Sequence, residues 1–101
     1  MASRLELHEI LCEVLGSRNV YYDPPASVRM QYDAIRYSRS RINNTFANNS
    51  VYMQDDSYEI IVIYRDPDSD LPRKISQLPK CRHDRHYVAE NLHHDSFTIY
   101  Y

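Results

Sequence analysis

Four apolar β-branched residues in a row, Ile60, Ile61, Val62 and Ile63, constrain this chain more than any other feature. They lie within Tyr58 to Arg65, a nearly unbroken run of β-branched and aromatic side chains. An extended chain turns successive side chains to opposite faces, so this run makes both faces apolar. A strand wetted on one face would alternate instead, which predicts a central strand covered on both sides. Asp66-Pro67-Asp68 then stops it, because this is turn chemistry and Pro67 has no N–H for a ladder. Asp68, Ser69 or Asp70 can cap a short helix ahead of Leu71, Pro72 and Ile75.

Upstream, Ser3-Arg4-Leu5-Glu6 fits a capping box, a hydroxyl followed three residues later by a carboxylate. Leu7, Ile10, Leu11, Val14 and Leu15 recur at helical spacing, with Glu6, Glu9 and Glu13 opposite them. Gly16 supplies the C-cap, where the backbone turns left-handed. Val20 to Tyr22 reads as a short extended piece, halted by Asp23-Pro24-Pro25. Ala34 to Ser38 reads as a strand with Ile35 and Tyr37 on one face. Arg39 to Ser50 is polar around Ile42 and Phe46, which fits either a long loop or an irregular strand pair.

After the central strand comes a helix from about Leu71 to Leu78, closed by Pro79. Cys81 to Val88 forms a rather polar strand and Glu90 to Asp95 a turn. Ser96 to Tyr101 ends the chain as a strand with Phe97, Ile99 and Tyr101 on one face. The expected fold is α+β, one domain over residues 1–101. One main N-terminal helix and one short helix pack on a four- to five-stranded, mostly antiparallel sheet.

Composition removes whole classes of function. The chain has a single glycine, Gly16, whereas phosphate-cradling loops need several for close backbone approach. With 12 basic and 14 acidic residues, the net charge of −2 offers no general attraction to nucleic acid or anionic membrane. The acidic N-terminal segment lacks a long apolar run, which speaks against a signal peptide or membrane span. Cys12 and Cys81 lack CxxC spacing and read as two reduced, partly buried thiols. Ten tyrosines suit half-buried sheet faces and protein contacts.

Catalytic and metal chemistry finds weak footing. His83, His86, His93 and His94 are candidate ligands for a metal-dependent enzyme. On a regular strand, however, His83 and His86 point to opposite faces, and Arg85 between them repels a cation. Solvated or hydrogen-bonded histidines are the expectation. Cys12 is flanked by Glu9 and Glu13, which raise a thiol pKa. Cys81 stands better, beside Lys80, Arg82 and His83, but no glycine shapes an oxyanion hole near it. Asp66, Asp68 and Asp70 resemble the start of a calcium loop without its glycine, and Pro67 intrudes early. The Asn43 and Asn48 glycosylation triplets fit chance in an Asn-rich stretch. The expectation is therefore no catalytic residues, no metal and no cofactor.

Charge along the chain is more telling. Arg29 to Arg41 carries four arginines against Asp33, while Asp55 to Asp70 carries six acids against Arg65. A solvated surface of mixed sign explains most such clusters. Two complementary flanks would instead suit head-to-tail contacts between identical copies, which can close into rings. On that reading Arg36, Arg39 and Arg41 meet Asp55, Asp56, Asp66 and Asp68 of a neighbour. Phe46, Asn48 and Tyr52 then belong to a segment folded onto that neighbour.

The order of motifs along the chain also resembles the small tail-terminator, or tail-completion, proteins of tailed bacteriophages. A short helix ends in Leu15-Gly16-Ser17, followed by Asn19-Val20-Tyr21-Tyr22 and the Pro24-Pro25 pair. Then come Ala47-Asn48, Tyr52, the Tyr58-to-Arg65 strand with Asp66-Pro67-Asp68-Ser69, and Leu78-Pro79. Arg85, Asn91-Leu92-His93-His94-Asp95 and a terminal aromatic strand close the chain. The resemblance spans it nearly end to end, through order rather than any one specific motif. It implies an α/β subunit of a ring, a hexamer, that caps the tail tube and joins the head connector, without enzymatic activity. The expected partners are copies of itself, the tail-tube protein and a head-completion or connector protein. The expected location is the virion neck, after assembly in the host cytoplasm. The competing expectation is a small cytosolic binding or regulatory module that acts through a tyrosine-rich face.

Overall fold

A computed structural model of the chain describes residues 4–25, 29–47 and 50–101, with side chains described outside 41–55. The capping box rests on Ser3 and so lies outside the described residues. Helix α1 (Arg4–Leu15) buries Leu7, Leu11 and Cys12, and Cys12 joins the stripe expected from spacing. Gly16 follows at φ 81°, and its N–H reaches the Cys12 carbonyl at 2.9 Å. Only glycine takes that left-handed conformation without strain.

Five strands follow: β1 (Val20–Tyr22), β2 (Ala34–Ala47), β3 (Ser50–Tyr64), β4 (Cys81–Ala89) and β5 (Leu92–Tyr100). Helix α2 (Leu71–Ser76) connects β3 to β4. The sheet order is β1-β2-β3-β5-β4, with β1 parallel to β2 and all other pairs antiparallel. Strand β3 is central, as its apolar run requires. Ile60 and Val62 face the helices and are 0% exposed, whereas Ile61 and Ile63 are buried on the outer face.

The helix face holds the core. Leu7 and Leu11 of α1 and Leu71 and Ile75 of α2 cluster with Ile35, Tyr37, Tyr58, Ile60, Val62, Phe97 and Ile99. Full burial of each aliphatic side chain there contributes about 1.5–3 kcal/mol. The tyrosine excess is partly explained here, because Tyr37, Tyr58 and Tyr64 are core residues rather than contact surface. The Tyr37 hydroxyl meets the core's edge, 2.8 Å from His8 Nδ1 and 3.3 Å from Arg4.

At the end of β3 the aspartates do turn work. Asp66 Oδ1 accepts from the Asp68 N–H at 2.9 Å, and the Ser69 hydroxyl accepts from the Leu71 N–H at 3.3 Å. Asp70 occupies the N-cap position without a side-chain cap bond and pairs instead with Lys74 at 3.4 Å.

One alternative is decided and one expectation corrected. Of Arg39 to Ser50, the described residues are strand, β2 running to Ala47 and β3 starting at Ser50, so the strand-pair alternative holds there, and 48–49 lie outside the described residues. The turn expected over Glu90 to Asp95 is only Glu90-Asn91, both left-handed at φ 53° and 64°. Such a two-residue turn matches the twist of a hairpin, so β5 begins at Leu92 and takes in His93, His94 and Asp95. Among the described residues no helix is long and apolar enough to cross a membrane.

Candidate functional site

The β4–β5 hairpin assembles what the sequence scatters. His83 pairs with Phe97 and Arg85 with Ser96, which leaves Asp84 as one extra residue in β4. A bulge of this kind resets the alternation of side chains. His86 therefore returns to the helix face, directly across from Asp95. The expectation that His83 and His86 face opposite ways fails for this reason.

Asp95 is 4% exposed and accepts three hydrogen bonds. Tyr64 donates its hydroxyl to Oδ2 at 2.6 Å, His83 donates Nε2–H to Oδ1 at 2.8 Å, and His86 donates Nδ1–H to Oδ2 at 3.2 Å. Burial pushes the Asp95 carboxyl up, but the bonds from Tyr64, His83 and His86 outweigh it and hold the pKa below the ordinary value. Burial and the adjacent Asp95 both push the Tyr64 hydroxyl up, so it stays a donor. His93 completes the group, stacked on Tyr64 at 5.4 Å and on His86 at 5.5 Å between ring centroids. His83 meets Phe97 edge-on at 5.1 Å.

Because a carboxylate only accepts, both imidazoles must present an N–H to it. That leaves His83 Nδ1 and His86 Nε2 as the remaining ring nitrogens, on side chains that are 44% exposed. A buried carboxylate orienting imidazoles is the arrangement used both to hold metals and to steer a general base. Among the described residues, however, no three His, Cys, Asp or Glu side chains form a group able to hold a metal ion. His94 lies on the outer face, with Nδ1 on the Leu92 carbonyl at 3.0 Å and its ring stacked on Tyr87. The neighbouring thiol is not an activated nucleophile: burial and then Asp84 push Cys81 up to about 11. Cys12 is raised chiefly by burial, with Glu9 adding and Arg18 opposing. Neither cysteine forms a disulfide. What the cluster visibly does is tie the bulged edge strand β4 to β5 and β3.

The second feature is the β2–β3 hairpin. Strand β1 reaches only Ile35 to Tyr37 of β2, and β5 reaches only Ser57 to Tyr64 of β3. Beyond the Arg41–Ser57 pair, Ile42 to Ala47 and Ser50 to Asp56 continue pairing with each other, and the last backbone contact from the β5 side is the Tyr101 N–H on the Asp56 carbonyl at 3.0 Å. This two-stranded arm is about 20 Å long at the rise of an antiparallel strand. It accounts for the elongated molecule, 51 × 26 × 23 Å.

The residues expected at a subunit interface fall as follows. Phe46, Tyr52 and Asp55 lie on the arm's strands, Arg41 and Asp56 lie at its base, and Asn48 falls outside the described residues. Basic and acidic stretches run side by side, since Asn43 pairs with Asp55 and Ile42 with Asp56. Arg36 and Arg39 are exposed on opposite faces, because Arg36 pairs with outer-face Ile61 and Arg39 with helix-face Tyr58. Asp66 and Asp68 are exposed at the far end of β3. Segregation along the sequence therefore does not become two opposite flanks in space. No protein-family model matches the chain, and no curated protein or solved structure matches it either.

Proposed function

We propose that this chain is a structural virion protein, a tail terminator whose copies close into a ring on the tail tube and join it to the head connector. The order of motifs from Leu15-Gly16-Ser17 to the terminal aromatic strand supports the reading. The observation that carries it is the arm. An isolated two-stranded ribbon is marginal in water, so one that projects beyond every flanking strand makes sense as an element seated on a neighbour. A contact between an arm and a different surface of the next copy is head-to-tail, the kind that closes rings. The role needs no catalytic group, and the hexameric number comes from the family resemblance alone.

Electron microscopy of the protein, alone and mixed with tail tubes, tests this. Rings, or caps at tube ends, are expected. A species that stays monomeric at high concentration and leaves tubes bare sinks it. Soluble monomers that join only at the tube agree with it, since a partner can complete a weak interface.

A further inference from the structure

The outer face of the sheet carries a cleft of about 320 Å³. Its floor is Ile61 and Ile63 of β3, and one wall is the Tyr87–His94 ring pair, stacked at 4.8 Å between centroids. Arg36 of β2 and Glu90 of the β4–β5 turn also line it, both exposed, and Arg36 has no hydrogen-bond or ion-pair partner among the described residues. An apolar floor beside an exposed guanidinium suits a segment that brings apolar side chains together with a carboxylate.

The arm has that chemistry. Its returning strand reads Ser50-Val51-Tyr52-Met53-Gln54-Asp55-Asp56, apolar residues followed by two acids. It is not the chain's own arm that could fill the cleft. The arm leaves β3 beyond Ser57, whereas the cleft floor lies at Ile61 and Ile63, so the arm leads away from it. From Ile63 back to Asp56 the strand covers roughly 23 Å in the wrong direction. A second copy meets no such obstacle.

We infer that the cleft over Ile61 and Ile63 is the receptor for the β2–β3 arm of a neighbouring copy, with Arg36 paired to Asp55 or Asp56 of that arm. This rests on the assembly reading above and specifies which surface receives the arm. One surface at each end of the sheet, each complementary to the other, satisfies both in every copy of a closed ring. Arginine's planar fork can hold a carboxylate through two parallel bonds, which fixes orientation as well as partner.

Charge reversal tests the pairing. Arg36→Glu and the double change Asp55→Arg with Asp56→Arg are each expected to weaken association by at least about tenfold. Association is read by sedimentation of the protein alone and by occupancy of tail-tube ends. Combining all three changes in one chain should restore much of the loss. Far-UV circular dichroism checks that each variant folds, and Arg36 is exposed enough for this to be expected. A variant with residues 44–54 replaced by a two-residue Asn-Gly turn, which keeps the Asn43–Asp55 register, separates the possible failures. If shortening the arm abolishes association while Arg36→Glu does not, the arm docks elsewhere and the inference falls while the assembly reading stands. If the shortened chain associates like the parent, the arm is not the docking element and the inference alone falls; if the parent associates neither with itself nor with tube ends, both fall. A triple variant no better than its components also overturns the pairing.

Discussion

Tyr64 donates its hydroxyl to Asp95 across 2.6 Å, joining the central strand to β5 through a carboxylate that is 4% exposed. Three donors converge on two oxygens there, so the anion is what the site is built around. Asp95→Asn replaces one acceptor oxygen with an amide that can only donate, so at least one of the three bonds is lost or has to reverse, an imidazole reversing only by changing tautomer. The expected loss is about 1–3 kcal/mol in urea unfolding. Tyr64→Phe, which leaves two imidazole donors in place, should cost less than Asp95→Asn in the same measurement.

The carboxyl of Asp95 sits below its ordinary value of 3.8 in the folded protein. A group depressed on folding adds stability that is present above its unfolded pKa and lost as pH falls through its folded one. Stability should therefore decline from the ordinary carboxylate range downward, through this and other acids. In Asp95→Asn the slope of unfolding free energy against pH should be shallower over that acid limb. Equal slopes in parent and variant would contradict the assignment.

Cys81 should alkylate slowly. With its thiol at about 11 rather than 9.0, the thiolate fraction at neutral pH is about 100-fold lower, since 11 − 9 is two powers of ten. Iodoacetamide kinetics on the folded protein measure this directly. The rate should climb about tenfold for each pH unit through pH 10, and unfolding in urea should restore ordinary reactivity.

Gly16→Ala separates space from conformation. A Cβ at Gly16 would meet nothing within 4 Å, yet φ is 81°. The expected destabilisation, about 1–2 kcal/mol, comes from backbone strain alone. Gly16→Asn should lose less, because asparagine tolerates the left-handed region better.

Ile75→Ala should cost about 2–5 kcal/mol, since the side chain is 0% exposed where α2 meets the core. Thermal unfolding reads it. A loss below about 1 kcal/mol would mean that α2 is not seated as described.

The legible parts of the fold are those whose burial repeats with a period. Ile60 to Ile63 announced the central strand, and Leu7 with Leu11 announced the helix, because each pattern matches the geometry of its element. The arm was half-visible: a ribbon without a sheet beside it has no core face, so Arg39 to Ala47 carries no alternation to read. Glu90-Asn91 lacks the glycine that usually marks a two-residue hairpin turn, so His93 to Asp95 read as loop rather than strand. The Asp95 cluster was hidden by Asp84, since one extra residue reverses the facing of everything after it. An aspartate and an arginine side by side inside a strand were the available hint, and they read equally well as polar surface.

Asp84 has one more consequence. A sheet ends safely only if its outermost strands refuse further pairing, since an open, regular edge templates strand addition from other chains. Here β1 is three residues long, and β4 is interrupted at Asp84 and lined by Arg82 and Arg85. Neither rim offers the straight, uncharged backbone that stacking into fibrils requires. At these two rims, beside the body of the sheet, the hydrogen-bonding direction is closed to a regular added strand.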